Sequence, residues 1–190
     1  MVNQVDHRRP LRWPFAMTIE VREATPADHA EAGRVTADAY REFVPEGGGG
    51  DWERYLERMA DVAERAARTH ILVALDGERI VGCVTLELEG RVGDWDGDPP
   101  LRPGEAHIRM LGVDPAARAR GVGTRLMAAC EARARAAGKT FVTLHTTERM
   151  EAAQRMYQRL GYERTEDHVF PDGFVLIGYR KELSVSGSIS

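Results

Sequence analysis

The stretch with the clearest chemical capacity is Val113-Asp114-Pro115-Ala116-Ala117-Arg118-Ala119-Arg120-Gly121-Val122-Gly123-Thr124. A strand-like run enters a turn with Gly at 121 and 123, and an amphipathic helix follows. Glycine lets a backbone approach a ligand closely. The first helical turn offers amides without intrahelical partners and the positive end of the helix dipole. The combination suits a phosphate or pyrophosphate, and Arg118 and Arg120 add charge-assisted donors. The same residues also describe a tight strand-to-helix turn with solvated arginines. Gly121 and Gly123 lack the third glycine of a dinucleotide fingerprint, and no Gly-Lys-Ser/Thr of a nucleoside-triphosphate loop is present.

A second informative stretch is Ala153-Gln154-Arg155-Met156-Tyr157-Gln158-Arg159-Leu160-Gly161-Tyr162. Ala153, Met156, Tyr157 and Leu160 fall on one helical face, which makes Tyr157 at least a core aromatic. Strand alternation puts His107, Arg109, Leu111 and Val113 on one face of the strand that precedes the glycine turn. Cys83 and Cys130 lie in apolar runs, one strand-like and one helical. They read as reduced core thiols of a cytoplasmic protein, with no metal-ligand spacing around them.

A chain of 190 residues is one ordinary domain. With 43% hydrophobic and 29% charged residues, it has the profile of a folded soluble domain. A net charge of -4 argues against a nucleic-acid or membrane-surface partner. No apolar run approaches the ~18 residues needed to span a bilayer.

Regular patterning starts at Met17, so residues 1–16 are expected to be a poorly ordered extension and residues 184–190 a tail. Between them, 17–183 reads as one domain. Thr18–Glu23 alternates as a strand, and Thr25-Pro26-Ala27-Asp28 opens a helix to about Arg41. Gly47 to Gly50 is a break. Asp51 then caps a second helix with Trp52, Tyr55, Leu56, Met59 and Ala63 on one face. Ile71–Leu75 and Arg79–Leu88 form a hairpin at Asp76-Gly77. A polar loop to Gly104 leads to a strand His107–Val113. Val122 to Ala137 is a helix closed by Gly138, Phe141–His145 a strand, and Thr147 the cap of a helix ending at Gly161. Strands near Tyr162–Thr165 and Phe174–Arg180 finish an α/β fold, a mixed sheet with helices on both faces.

Arg118-x-x-Gly121-x-Gly123 after Leu111-Gly112-Val113 resembles motif A of the GCN5-related N-acetyltransferase (GNAT) superfamily. Ala153 to Tyr162 resembles that family's following motif, Ala-x-x-Leu-Tyr-x-x-Leu-Gly-Phe. One strand separates the two, and the element order agrees from about Thr18 to Leu183. The resemblance implies a mostly antiparallel sheet splayed between the strand of His107–Val113 and that of Phe141–His145. The pantetheine arm of acetyl-CoA, the implied cosubstrate, would lie in the gap beside Leu111 and Val113. The pyrophosphate would meet Arg118, Arg120, Gly121, Val122, Gly123 and Thr124. The implied activity is acetyl transfer to a primary amine, and the alternative is a non-catalytic acyl-CoA sensor of the same fold.

In the family, the amide matching Leu111 polarises the thioester carbonyl, and the phenol matching Tyr157 protonates the leaving thiolate. A phenol of pKa ~10 keeps its proton at neutral pH and can donate it. A base position in the lysine-acetylating branch falls on His107, with Glu87 and Glu105 as weaker candidates. A structural histidine hydrogen-bonded to a neighbouring strand or loop is the rival reading of His107. The family's pantetheine-binding Asn is replaced by Met150, and Thr146 or Thr147 can substitute. Ala119 stands where Gly is frequent, which a turn tolerates at negative φ. The acceptor, an amine-bearing small molecule or peptide, would dock between the loops at Tyr40–Asp51 and Asp167–Gly173. Asp94, Asp96 and Asp98 either attract a cationic amine or form a solvated acidic loop. No nucleic acid, membrane or metal is implied, and a homodimer is left open.

Overall fold

The computed structural model describes residues 18–44, 50–92, 99–170 and 173–184. The N-terminal extension, Gly47–Gly49, Asp94, Asp96, Asp98 and residues 185–190 lie outside the described residues. Strand β1 (Ile19–Glu23) leads through a 3-10 turn at Pro26–Asp28 into α1 (His29–Arg41). The Asp28 carboxylate closes that turn by accepting from the Thr25 backbone N–H at 2.6 Å and from its hydroxyl at 2.7 Å. Two short helices follow, α2 (Gly50–Ala60) and α3 (Val62–Ala66), and then the β2 (His70–Asp76) and β3 (Arg79–Glu87) hairpin. Next come β4 (Glu105–Val113), α4 (Val122–Ala136), β5 (Phe141–Thr146) and α5 (Glu151–Arg159). Strands β6 (Glu163–Arg164), β7 (His168–Val169) and β8 (Val175–Glu182) complete the chain.

The sheet runs β1-β2-β3-β4-β5-β8-β6, with β7 on β8. Only β4 and β5 pair in parallel; the other pairs among the described residues are antiparallel. Each face carries its own apolar cluster. Val84, Leu86, Ala106, Ile108, Val142 and Leu144 pack against Leu126, Met127 and Cys130 of α4 and Tyr157 of α5. Ile71, Val73, Ile80 and Cys83 pack against Val35 of α1 and Val62 of α3 on the other face. Both cysteines are free and buried, as their apolar settings suggest. No helix among the described residues is long and apolar enough to cross a membrane.

Several elements depart from the sequence expectation. The second helix breaks at Asp61, whose carboxylate accepts from Glu64 N–H at 3.0 Å and starts α3 afresh. Ala63 is therefore exposed, while Val62 and Arg65 turn inward. Asp51 falls inside α2, which begins at Gly50. Thr147 begins a turn closed by Met150 N–H to Thr147 O (3.1 Å), and α5 starts only at Glu151. Strand β4 begins two residues earlier than patterning suggests, because Glu105 and Ala106 pair with Phe141 and Val142.

Candidate functional site

The site is organised by a break in pairing. Strands β4 and β5 pair from Glu105↔Phe141 to Ile108↔Leu144, and β5 then continues against β8 alone to Thr146↔Ile177. Among the described residues, the β4–β5 ladder thus ends at Ile108, and β4 runs on to Val113 apart from β5. On its other side, the register with β3 jumps from Thr85↔Arg109 to Cys83↔Gly112. Met110 and Leu111 together stand opposite Val84, and Met110 has φ +52°. This β-bulge turns the strand over. Leu111 and Val113 join Ala106 and Ile108 on the α4 face. His107 and Arg109 stand on the α1 face, so the expectation of one shared face is corrected. Alternation fails because the bulge inserts one residue, and Met carries no turn signal.

Beyond Val113 the chain turns sharply. Asp114 accepts from Ala116 N–H at 2.9 Å and is ion-paired with Arg79. Gly121, the N-cap of α4, has φ +78°, a left-handed conformation that glycine adopts without steric cost. The helix's first return bond runs from Arg125 N–H to Gly121 O, at 3.0 Å. The amides of Val122, Gly123 and Thr124 thus lie at the open positive end of a 15-residue helix. Gly123 serves close packing: a Cβ there would sit 3.0 Å from Met156 Sδ and 3.8 Å from Val113 Cγ2. The Val122 side chain is core, so only its backbone faces the turn. Ala119 has φ +59°, against the expected negative value. The turn thus carries strain at 119.

The two arginines are engaged within the fold. Arg118 is ion-paired with Glu42 at 2.5 Å and donates to Ala39 O at 3.4 Å. Arg120 is 3.0 Å from Asp76. Both pairs are partly exposed, the class of ion pair that exchanges partners at little cost.

On the α5 side of the gap, Tyr157 is 6% exposed. Its ring lies 6.0 Å from that of Tyr162 and 5.8 Å from that of Tyr179. Burial, with Tyr179 beside it, pushes the Tyr157 phenol well above its ordinary range, so it holds its proton. Tyr40, at the end of α1, is also shifted upward, first by burial and then by the phenols of Tyr55 and Tyr157. The Thr146 hydroxyl, at the end of β5, is buried without a hydrogen-bond partner. Met150 precedes α5 and Thr147 O accepts from Gln154 Nε2 at 2.9 Å.

On the α1 face, His107 is 3% exposed. Its Nδ1 lies 2.8 Å from Thr143 Oγ1, and that hydroxyl donates to Glu105 Oε1 at 2.6 Å. Burial lowers the imidazole pKa to about 3, with His145 the next cause. Glu105 also accepts from Arg102 Nε at 2.9 Å. Burial alone would raise its carboxyl, but the bonds from Arg102 and Thr143 hold it below its ordinary value. Glu87 accepts from Arg109 Nε at 2.6 Å. The structural partner imagined for His107, on a neighbouring strand, is therefore Thr143. Patterning could not reveal it, because only the β4/β5 register brings the two together.

Two residues that flank the loops expected at the acceptor side are in contact. Trp52 of α2 and Phe174 at the start of β8 have ring centroids 6.4 Å apart. Phe170 lies 5.9 Å from Phe174 and packs edge-on against His168. Strand β7, which carries His168, has only two residues and so leaves no period in the sequence.

The acetyltransferase (GNAT) family profile matches residues 34–162, from α1 through the end of the Tyr157 motif. The chain belongs to the acetyltransferase (GNAT) family. Solved structures agree on the fold of this GNAT chain. A GCN5-related N-acetyltransferase from Rhodopseudomonas palustris is 22% identical, with a TM-score of 0.67 over 87% of this chain and 96% of that one. A putative acetyltransferase from Salmonella typhimurium, solved with its cofactor acetyl-CoA, is 18% identical, with a TM-score of 0.62 over 90% and 98%. The ribosomal-protein-S18-alanine N-acetyltransferase from Escherichia coli is 15% identical, with a TM-score of 0.63 over 91% and 99%. No curated protein matches the sequence.

Proposed function

We propose that this GNAT chain transfers the acetyl group of acetyl-CoA to a primary amine by direct attack. The observation that carries the reading is the end of β4 that has parted from β5, led by the turn of residues 114–121 into the open N-terminus of α4. A strand edge without its neighbour offers amides and carbonyls to an extended amide-bearing arm such as pantetheine. The helix start offers the pyrophosphate three amides and a favourable dipole. Arg118 and Arg120 change partners from Glu42 and Asp76 to phosphate. Thr146, with its buried unpartnered hydroxyl, supplies a polar contact that Met150 does not.

The chemical roles follow from position. The Leu111 amide, at the bulge, polarises the thioester carbonyl and stabilises the oxyanion that forms on attack. The amine nitrogen bonds to the acetyl carbon as the C–S bond breaks, and Tyr157 protonates the departing thiolate. The amine must first lose a proton: at pKa ~10.4, fewer than about 0.1% of such molecules are neutral at pH 7. The neutral fraction attacks, and His107 takes the N–H proton that the nitrogen gives up as the C–N bond forms. The acceptor enters from the α1 side, past Tyr40 and beside the Trp52–Phe174 contact.

The test is CoA release in the presence of a panel of primary amines, with acetyl-CoA binding measured in parallel. Binding with amine-dependent release supports transfer. Binding without release to any amine would instead indicate an acyl-CoA sensor.

A further inference from the structure

We infer that Thr143 and Glu105 are positioning residues that hold His107 as its Nδ1–H tautomer and leave Nε2 as the proton acceptor. The inference rests on the reading of His107 as the base and goes beyond it by assigning two further residues and a protonation state. It begins with hydroxyl bookkeeping. Thr143 has one hydroxyl proton, and it points to Glu105 Oε1 at 2.6 Å. Toward His107 Nδ1, 2.8 Å away, the oxygen therefore offers only a lone pair. Nδ1 must carry the ring proton, and Nε2 is the basic nitrogen.

The direction of the chain is itself fixed. Glu105 receives Arg102 N–H and Arg102 Nε, each at 2.9 Å, and Arg102 Nη2 at 3.3 Å. A carboxylate so surrounded stays ionised and accepts only, so Thr143 cannot reverse its hydroxyl without losing a charge-assisted bond. All three members are buried: Glu105 at 3% exposure, His107 at 3% and Thr143 at 7%. Their place matters as much as their contacts. His107↔Thr143 is the penultimate rung before β4 and β5 part, so the relay stands one rung behind the gap. His145, whose ring centroid is 5.3 Å from that of His107, and Arg109 follow on the same face. Glu87 is His107's partner on β3.

During transfer, the amine N–H proton passes to Nε2 as the nitrogen bonds to the acetyl carbon. The imidazolium that forms has both ring nitrogens protonated. Its Nδ1–H keeps the Thr143 oxygen, and the Glu105 charge behind it offsets the new positive charge in a low-dielectric site. Arrangements of this kind stabilise the protonated ring only when the tautomer is correct beforehand.

The test combines two measurements on the full chain. Nitrogen-15 NMR of the imidazoles, with His107→Gln to identify the signal, reports the tautomer without reference to activity. The dependence of kcat/KM on pH reports the base. Wild type is expected to show Nδ1–H and a bare Nε2 from neutral to mildly acidic pH. Thr143→Val should lose that preference and lower kcat/KM by about tenfold or more, within the ~10²–10⁴ that general-base catalysis supplies. Thr143→Ser, which keeps the hydroxyl and folds if valine does not, should restore both readouts. Glu105→Gln should weaken the tautomer preference while leaving acetyl-CoA affinity unchanged. An Nε2–H tautomer in wild type, or an unaltered tautomer in Thr143→Val, would overturn the positioning role. A switched tautomer with unchanged kcat/KM would remove His107 from proton transfer and overturn the base reading instead.

Discussion

The Arg118 guanidinium is held 2.5 Å from the Glu42 carboxylate, which ties the glycine turn to the end of α1. If Arg118 is to meet pyrophosphate, this pair must open. The two side chains are 39% and 46% exposed, and such pairs are worth ~0.2–1 kcal/mol. Glu42→Gln should therefore tighten acetyl-CoA binding by up to about fivefold at low salt. Titration calorimetry at two ionic strengths checks this, with the gain shrinking at high salt. Weaker binding would mean that Glu42 orients Arg118 rather than competing for it.

Ala119 occupies the left-handed region at φ +59°, which costs an L-residue roughly 1–2 kcal/mol. Ala119→Gly should relieve that strain. Part of the gain is offset by the greater freedom of glycine in the unfolded chain. A net stabilisation of about 1 kcal/mol is expected from denaturant unfolding. A loss of stability would show that the Ala119 methyl makes contacts worth more than the strain.

The buried His107 gives the fold an acid sensitivity. Its pKa is lowered to about 3 in the folded protein and is near 6.5 when unfolded. Between those values the unfolded chain binds the extra proton, so stability rises with pH there. The contribution is complete above the unfolded value and is lost as pH falls from about 6.5 toward 3. His107→Asn should flatten the pH dependence of unfolding in that window, whatever it does to stability at neutral pH. An unchanged slope would place the ring in water.

Much of this was legible in the residues. Period-2 and period-3.6 patterning located β1 to β5 and the long helices, and the two glycine-containing motifs located the turn and helix proposed to meet the cofactor. What patterning missed has a common cause. The Met110 bulge, the break at Asp61 and the left-handed Ala119 occur at residues that carry no glycine or proline signal. The Glu105–Thr143–His107 relay depends on the register of two strands, which no single segment encodes.

Tyr157→Phe removes one oxygen from a ring packed between Tyr162 and Tyr179. The fold and acetyl-CoA affinity should hold, while kcat falls, because a proton donated to the leaving thiolate matters mainly in the transition state. The loss should lie at the lower end of the ~10²–10⁴ typical of general acids, since a thiol of pKa ~8.5 is already a fair leaving group. Wild-type kcat would reduce Tyr157 to a core aromatic.

The most direct test of the central claim is mass spectrometry of a primary-amine panel incubated with acetyl-CoA, comparing wild type with Gly123→Asp. The substitution places a carboxylate at the helix start, where pyrophosphate is expected, and its Cβ displaces only the flexible end of Met156. The account predicts that wild type adds one acetyl group to at least one amine and releases an equal amount of CoA. It also predicts that folded Gly123→Asp neither binds acetyl-CoA nor transfers. Wild-type binding and transfer by Gly123→Asp, or binding by wild type with no acetylated product from any amine, would contradict it.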